Sequence, residues 1–260
     1  MKAALIWPTS LLEEYGATTD YHLVLTHLVL SDEKYREYYK ARRAAGDWII
    51  VDNGVYEDET ASFERLLEAV KVLDAQEVVA PDVLWDYNKT VTLTWNFLPL
   101  VPPSVSVMAV PQADNLEDYW RCYQTFDQDP RISTVGITKA VQRFTNRLEV
   151  IKTIHQIAMS YEMKPHHLLG AVVDPQKELD YIYGWEGGPH VWIRGIDTCM
   201  PIALGLVGIP LERGRMYPPS VRNACFGGSG YYFSIPHTYP KAKLVLEENV
   251  KTWLEWCRSG

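Results

Sequence analysis

Three kinds of pattern are missing from this sequence, and each absence excludes a class of protein. No run of about 18 apolar residues occurs, so we expect no membrane-spanning helix and no membrane partner. The apolar segment at the N-terminus is too short for a signal peptide. No CxxC pair occurs, which argues against a disulfide framework or a zinc site; the four cysteines are Cys122, Cys199, Cys225 and Cys257. We therefore expect a cytoplasmic protein with reduced thiols.

Composition predicts one globular domain over residues 1–260. Hydrophobic residues make up 47% of the 260 residues, so the chain can bury a large core. The formal net charge of −8 at pH 7 does not indicate a general affinity for polyanions. A nucleic-acid partner would therefore need a local basic patch.

Strand-like runs alternate with amphipathic helical patterns along the chain. The predicted strands cover residues 3–7, 22–30, 48–51, 77–80, 104–110, 132–135 and 167–169, with another beginning at 191. The predicted helices cover residues 31–45 with Ser31 as N-cap, 62–73, 87–97, 116–126, 143–159, 177–183 and 241–256. This rhythm predicts a (β/α)8 TIM barrel. The alternative, a doubly wound open sheet, often has a glycine-rich phosphate turn, and the chain has none. Residues 208–240 break the rhythm and are predicted to be an irregular insertion.

Polar residues and glycines follow most of the predicted strands. They are Asp52, Asp82, Gln112, Gly136, Gly170 and Asp197. A barrel would collect them at one mouth, where catalytic groups are placed. Each alone is also explained as a turn former or helix cap, and Asp197 in particular as the cap of a helix near Cys199. Together, carboxylates and an amide suit an enzyme that acts on a polar ring.

Six short motifs carry a resemblance to a known family. They are Asp52-Asn-Gly-Val-Tyr56, Val79-Ala-Pro-Asp82, Val110-Pro-Gln112, Val135-Gly-Ile137, His167-Leu-Leu-Gly170 and Gly195-Ile-Asp197 with Pro201. In order and spacing, over about residues 48–201, the chain resembles the tRNA-guanine transglycosylase superfamily. That superfamily has a (β/α)8 barrel fold, which agrees with the prediction from periodicity.

The resemblance implies a role for each matched residue. Asp197 matches the nucleophile that attacks the ribose anomeric carbon, and Asp52 the second carboxylate, placed for acid/base work. Tyr56 matches the aromatic ring that stacks on the base, with Leu169 near its opposite face. The residues implied to read or flank the guanine are Asp82, Gln112, Gly136, Ile137 and Gly170. The implied mechanism is ping-pong: guanine leaves and a 7-deazaguanine enters at the same carbon.

The chain departs from the tRNA enzymes of this superfamily. It lacks their CxCxxC and His zinc motif, has Ile202 and Ala203 where they carry arginines, and is shorter. In these respects it resembles the compact phage-encoded, DpdA-type proteins that insert 7-deazaguanines into DNA. The resemblance implies DNA rather than tRNA as substrate, a preQ0-type incoming base and no cofactor or metal. It also leaves room for a homodimer or an accessory protein, and for the host cytoplasm as compartment.

A DNA substrate needs cations and aromatic rings, and residues 208–243 contain both. The predicted nucleic-acid-binding residues are Arg213, Arg215, Arg222, Lys241 and Lys243, with Tyr217, Tyr231, Tyr232 and Phe233 between them. A solvated loop with an aromatic mini-core is the alternative. Lys139, Arg143 and Arg147 are candidates to extend the patch. His166 and His167 are neighbours on a strand, which is poor ligand geometry, so we predict a structural role for them.

Three other functions remain open at this stage. One is a tRNA transglycosylase without zinc. Another is a nucleosidase, in which water resolves the Asp197 intermediate. The third is a non-catalytic nucleic-acid-binding barrel, against which the presence of both Asp52 and Asp197 argues.

Overall fold

The computed structural model describes residues 1–57, 61–158, 163–184, 192–227, 229–235 and 243–259. Two compact units are present. The central unit is Asp20–Leu169, and the terminal unit combines Met1–Thr19 with Gly170–Gly260. The prediction of one domain over residues 1–260 stays a prediction. Across the ranges just given, no helix has both the length and the apolar character needed to cross a membrane.

Eight parallel strands confirm the predicted fold class, a (β/α)8 barrel. Their order in the sheet is β1-β8-β7-β6-β5-β4-β3-β2. The strands are β1 (Lys2–Leu5), β2 (Tyr21–Leu25), β3 (Trp48–Asp52), β4 (Glu77–Val79), β5 (Ser106–Ala109), β6 (Thr134–Thr138), β7 (His166–Leu169) and β8 (Ile193–Thr198). β2 and β6 are buried along their whole length. Strands buried on both faces read as continuous apolar runs rather than alternating ones, so periodicity detects such strands better than it locates their ends.

Helices follow the strands. They are α1 (Leu12–Tyr15), α2 (Thr26–Ser31), α3 (Glu33–Ala44), α4 (Phe63–Leu73), α5 (Tyr87–Phe97), α6 (Leu116–Gln128), α7 (Arg147–Ala158), α8 (Pro175–Tyr183), α9 (Met200–Leu206), α10 (Val221–Phe226), α11 (Ser229–Phe233) and α12 (Lys243–Ser259). Short 3-10 helices cover Thr9–Leu11, Gly16–Thr18, Val55–Glu57, Leu98–Leu100 and Lys139–Arg143.

The main helices of the central unit begin at side-chain caps. Ser62 accepts a hydrogen bond from the Arg65 amide at the start of α4, and Asn115 accepts one from the Asp118 amide at the start of α6. On α4 the side chains of Leu66, Ala69, Val70 and Leu73 are buried, which is the 3.6-residue spacing of a core-facing stripe. The prediction of residues 62–73 as a capped amphipathic helix is therefore confirmed.

The predicted strand 22–30 is wrong in its second half. β2 ends at Leu25, and residues Thr26–Ser31 form α2. A nine-residue segment rich in leucine and valine is compatible with either structure on periodicity alone. The Thr26 hydroxyl donates to the Asp52 backbone carbonyl at the end of β3, and the chain turns into α2 at this residue. The predicted N-cap, Ser31, is also wrong: Asp32 caps α3 by accepting from the Tyr35 amide.

Corrections also apply near the C-terminus. Residues 208–240 were predicted to be irregular, but α10 and α11 lie within them. Leu244 is 80% exposed on α12. The last strand was predicted to begin at residue 191, which lies outside the described residues, and β8 is seen from Ile193.

Candidate active site

Asp82 is the centre of a buried polar cluster in the central unit. It follows β4, while Asn53 follows β3 and Gln112 follows β5. The Asn53 amide nitrogen donates to Oδ1 of Asp82 at 2.5 Å, and the Gln112 amide nitrogen donates to Oδ2 at 2.5 Å. Asp82 is only 2% exposed. The structure thus brings together Asp82 and Gln112, two residues predicted to read the base.

Burial controls the protonation of Asp82. Removal from water raises its pKa from 3.8 to about 6, because burial disfavours the charged form. The hydrogen bonds from Asn53 and Gln112 act in the opposite direction and limit the rise. The backbone amide of Asp82 itself gives a third hydrogen bond. A carboxylate accepts about four, so about one acceptor site remains for a ligand donor.

Asn53 is a site residue that the sequence prediction missed. Its amide nitrogen also donates to the Ala80 carbonyl at 2.8 Å, and its Oδ1 accepts from the Val55 amide at 3.0 Å. Every polar group of the side chain is therefore used to fix the loop after β3 against the end of β4. Asn53 lies inside the motif 52–56, but nothing in the sequence shows that its side chain reaches Asp82.

Asp52 and Tyr56 lie in the same loop. The Gly54 amide donates to Oδ2 of Asp52 at 3.0 Å, so this half-buried carboxylate is also a turn former. Gly54 has φ +77°, a conformation that glycine adopts without strain. The Tyr56 ring is exposed, and Nζ of Lys139 lies 4.4 Å from its centroid. Tyr56 is therefore placed as an accessible aromatic surface beside a cation.

Gly136 and Ile137 lie within β6, and Leu169 is the last residue of β7. A Cβ on Gly136 would come within 2.9 Å of Leu169 Cδ1 and 3.0 Å of Val110 Cγ2, so the residue must be small. The fully buried Arg147 donates from Nη1 to the carbonyl of Ile137 at 3.2 Å and to that of Leu169 at 2.9 Å. Arg147 therefore fixes two strand ends, and its predicted place in a DNA-binding patch is wrong.

Asp197 lies on β8 in the terminal unit, where its Cα pairs in register with Ala4 of β1. It is 6% exposed, and its Oδ1 accepts a hydrogen bond from the Gly170 amide at 3.2 Å. Gly170 has φ +72°, so a glycine suits the position that presents this amide. The contact links two residues that the family resemblance matched separately.

Asp197 does not cap the helix that follows it. The N-cap residue of α9 is Cys199, with no side-chain cap bond, and the Met200 amide donates to the Thr198 hydroxyl at 2.9 Å. The simpler explanation of Asp197 as a helix cap near Cys199 is therefore wrong.

The predicted basic patch of residues 208–243 is largely neutralised by neighbouring carboxylates. Arg215 lies 3.1 Å from Glu212, Lys243 lies 2.6 Å from Glu14, and Arg213 lies 4.0 Å from Asp180. Arg222 is only 6% exposed and its guanidinium lies over the Phe233 ring, so its predicted surface contact with phosphate is wrong. Lys241 lies outside the described residues.

The aromatic residues of this region favour the mini-core alternative. Tyr217, Tyr232 and Phe233 are buried, and only Tyr231 of the predicted set is exposed. The Tyr232 hydroxyl donates to the Ile6 carbonyl at 2.6 Å, which ties α11 to the end of β1. Phe226 packs against the Tyr232 ring at 5.6 Å between centroids.

His166 and His167 have the structural role that was predicted. His166 donates from Nδ1 to the Lys164 carbonyl at 2.8 Å and accepts at Nε2 from the Tyr123 hydroxyl at 2.9 Å. Burial lowers the pKa of His166 from 6.5 to about 4, so the ring is neutral. His167 bonds the Tyr21 hydroxyl. Within the described part of the chain, no group of three or more His, Cys, Asp or Glu is arranged to hold a metal.

A cavity of about 450 Å³ lies elsewhere in the central unit. Its lining comes from α6, the end of α7 and Lys164, which precedes β7. Barrel enzymes place their catalytic groups at the carboxyl ends of the strands, whereas Lys164 marks the amino end of β7. The cluster around Asp82 is therefore the stronger candidate site in this unit.

Comparison with known proteins adds no relative. No protein-family model matches the chain, and no curated protein matches it.

Proposed function

We propose that this protein exchanges guanine in DNA for a 7-deazaguanine base, as a member of the tRNA-guanine transglycosylase superfamily. The observation that carries the proposal is the carboxyl of Asp82, buried between the amides of Asn53 and Gln112. A buried carboxylate is costly unless its hydrogen bonds are satisfied, and this one keeps acceptor capacity for a donor of a ligand. Guanine has donors at N1 and N2.

Asp197 is the proposed nucleophile. One of its carboxylate oxygens bonds to the anomeric carbon while the bond from that carbon to N9 of guanine breaks, and guanine leaves with the electron pair and a proton. N9 of the incoming base then bonds to the same carbon, releases its proton and regenerates the carboxylate. Asp52 is the proposed acid and base for these two protons. Asp52 is half-buried, whereas Asp197 is buried. Two carboxylates in different surroundings suit different roles, here acid/base and nucleophile.

Asp52 is the last residue of β3 and Asp197 is the last but one of β8. The carboxyl ends of strands are where parallel-barrel enzymes place catalytic groups. A duplex would have to flip the target base out of the stack, whereas an unpaired strand would present it directly.

The test is a base-exchange assay with DNA or tRNA that carries labelled guanine. We expect guanine release from DNA that depends on added 7-cyano-7-deazaguanine or its aminomethyl relative, and that is lost in Asp197→Asn. Asp74→Asn is the matched control, because Asp74 is 86% exposed and its φ of +51° suits asparagine. Without an incoming base, denaturing electrophoresis should show a covalent protein–DNA adduct.

Other outcomes would replace the proposal. Release from tRNA alone would identify a zinc-free tRNA enzyme, and release without any incoming base would identify a nucleosidase. No release and no adduct with any of these substrates would leave a nucleic-acid-binding barrel.

A further inference from the structure

Two cation–aromatic pairs lie beside the Asp82 cluster in the central unit. The Arg143 guanidinium lies 4.6 Å from the centroid of the Trp85 ring, and Nζ of Lys139 lies 4.4 Å from the centroid of the Tyr56 ring. Lys139 and Arg143 are the first and last residues of one 3-10 helix that directly follows β6. With a rise of about 2 Å per residue, the backbones of Lys139 and Arg143 lie roughly 8 Å apart along the axis of that helix. We call Tyr56, Trp85, Lys139 and Arg143 the rim patch.

Trp85 is held in an unusual backbone conformation. Its φ is +61°, which a bulky side chain rarely adopts. Its indole nitrogen donates to the Ala140 carbonyl at 3.4 Å, and its ring is still 37% exposed. Strained residues of this kind cluster at ligand clamps, because the surrounding structure must hold them there.

Trp85 is also connected to the proposed base reader. The backbone nitrogen of Trp85 lies 3.5 Å from Gln112 Oε1. The nitrogen of the same Gln112 side-chain amide donates to Asp82. Gln112 therefore contacts both the buried carboxylate and the loop that carries the exposed ring. A nucleotide chain that places one base at Asp82 would run past Trp85.

The charges of the rim patch fit a polyanion. Arg143 is exposed and, among the described residues, contacts no carboxylate; its cation–π contact with Trp85 is the interaction it makes. This distinguishes it from Arg213, Arg215 and Lys243, each of which lies beside a carboxylate. Exposed aromatic rings interleaved with cations are the features that bind unpaired nucleic-acid strands, through base stacking and phosphate contact.

We propose that the rim patch binds the unpaired DNA strand next to the target nucleotide, with a flanking base stacked on Trp85 and a phosphate bound by Arg143. This inference rests on the proposed function for the identity of its ligand. It places a DNA contact of the central unit on the loops after β3, β4 and β6, where Lys139 and Arg143 were candidates to extend the predicted basic patch.

The test is fluorescence anisotropy with a labelled single-stranded DNA of about 12 nucleotides, a length within the site sizes of single-strand binders. Trp85→Gly removes the ring and suits the positive φ, so the backbone conformation is kept. We expect it to weaken binding about 5- to 150-fold, the effect of losing one stacked base, with the salt dependence unchanged. Arg143→Gln should reduce the slope of log affinity against log salt by about 0.7, the effect of one phosphate contact on a single strand.

Matched controls are available in the same unit. Trp95→Ala removes another exposed tryptophan, on α5, and Arg65→Gln removes another exposed arginine, on α4. Both should bind as the wild-type protein does. Equal binding by wild type, Trp85→Gly and Arg143→Gln would overturn the inference, as would tighter binding of a fully paired duplex than of the single strand.

Binding and base exchange fail separately. If the variants lose binding while wild type exchanges no base, the rim patch stands and the proposed reaction falls. If wild type exchanges guanine and both variants bind and exchange normally, the reaction stands and the rim patch falls.

Discussion

Asp82 is the residue whose surroundings say most about chemistry. It is buried, it is bonded by two side-chain amides, and its pKa is raised to about 6 by burial. Position after a strand was visible in the sequence, and Asp82 and Gln112 were predicted from it. The amide of Asn53 was not, because its contact depends on how the loop after β3 lies against β4. A sequence pattern does not predict such a contact, because the residues of a loop have no fixed side-chain direction.

Asp82 gives the proposed activity a dependence on pH. If the ionised carboxylate reads the donor edge of guanine, kcat/KM should rise tenfold per pH unit below about 6 and level off above it. Asp82→Asn should lower kcat/KM about 10- to 150-fold, as expected for losing a hydrogen bond to a charged group, and should remove the limb near pH 6. The measurement is kcat/KM for base exchange between about pH 5 and 8. An unchanged limb in the variant would assign the titration to another group.

The element that corrects the sequence prediction most is the pair α2 and α3. Sequence reasoning extended β2 to residue 30 and began the next helix at Ser31, because the apolar run has no break. The structure ends β2 at Leu25 and starts α3 after Asp32. Ser31 instead donates to the His27 carbonyl within α2. Serine and aspartate are nearly equal as N-caps, so only the position of the turn decides between them.

Two matched substitutions test this assignment. Asp32→Ala should lower the free energy of unfolding by about 1 kcal/mol, because the Tyr35 amide loses its acceptor. Ser31→Ala should change it by less than about 0.5 kcal/mol, as is usual for an exposed site. Urea unfolding followed by circular dichroism measures both. A larger loss for Ser31→Ala than for Asp32→Ala would contradict the cap.

The contact between α9 and α12 gives a second prediction for elements. A Cβ on Gly205 of α9 would lie 2.5 Å from Leu246 Cα and 3.0 Å from Leu246 N, on α12. These are backbone atoms, so the helices must move apart to accept it. Gly205→Ala should lower the free energy of unfolding by about 1–3 kcal/mol, although alanine is the better helix former. Val207→Ala, at the exposed end of the same helix, is the control. Stabilisation by Gly205→Ala would show that the helices can separate.

At the scale of the whole molecule, the alternation of strands and helices was enough to predict the (β/α)8 barrel. Buried parallel strands are short apolar runs, and each helix between them has one apolar stripe, so both patterns survive in the sequence. The proposed DNA contact was only partly predictable in this way, because Lys139 and Arg143 were named as candidates and Trp85 was not. The cations of residues 208–243 are close together in sequence, but Arg222 is buried and others lie beside carboxylates. Trp85 and Arg143 are 58 residues apart in sequence and share one contact.

The free energy of unfolding should depend on pH, because buried histidines and the buried carboxyl of Asp82 change it in opposite directions. Burial lowers the pKa values of His22 and His166, so the unfolded chain takes up these protons first as pH falls below 6.5. Their stabilising contribution is full above pH 6.5 and is lost toward the folded pKa, which for His166 is about 4. For His166 the loss is about 3 kcal/mol.

Asp82 acts in the opposite direction, and its removal should reveal the histidines. The pKa of Asp82 in the folded protein is about 6, above the ordinary 3.8, so the folded state takes up this proton first as pH falls. The stabilisation is therefore full below pH 3.8 and is lost as pH rises through 6. Between about pH 6 and 4, Asp82 therefore offsets His166, and the wild-type protein should lose little stability beyond the contribution of His22.

In Asp82→Asn the free energy of unfolding should fall about 1.4 kcal/mol more steeply per pH unit over that range. Urea unfolding at about pH 4.5, 5.5 and 6.5 measures the slope, with Asp74→Asn as the control that keeps the wild-type slope. Parallel profiles for wild type and Asp82→Asn would mean that the Asp82 carboxyl is not the group that takes up the proton.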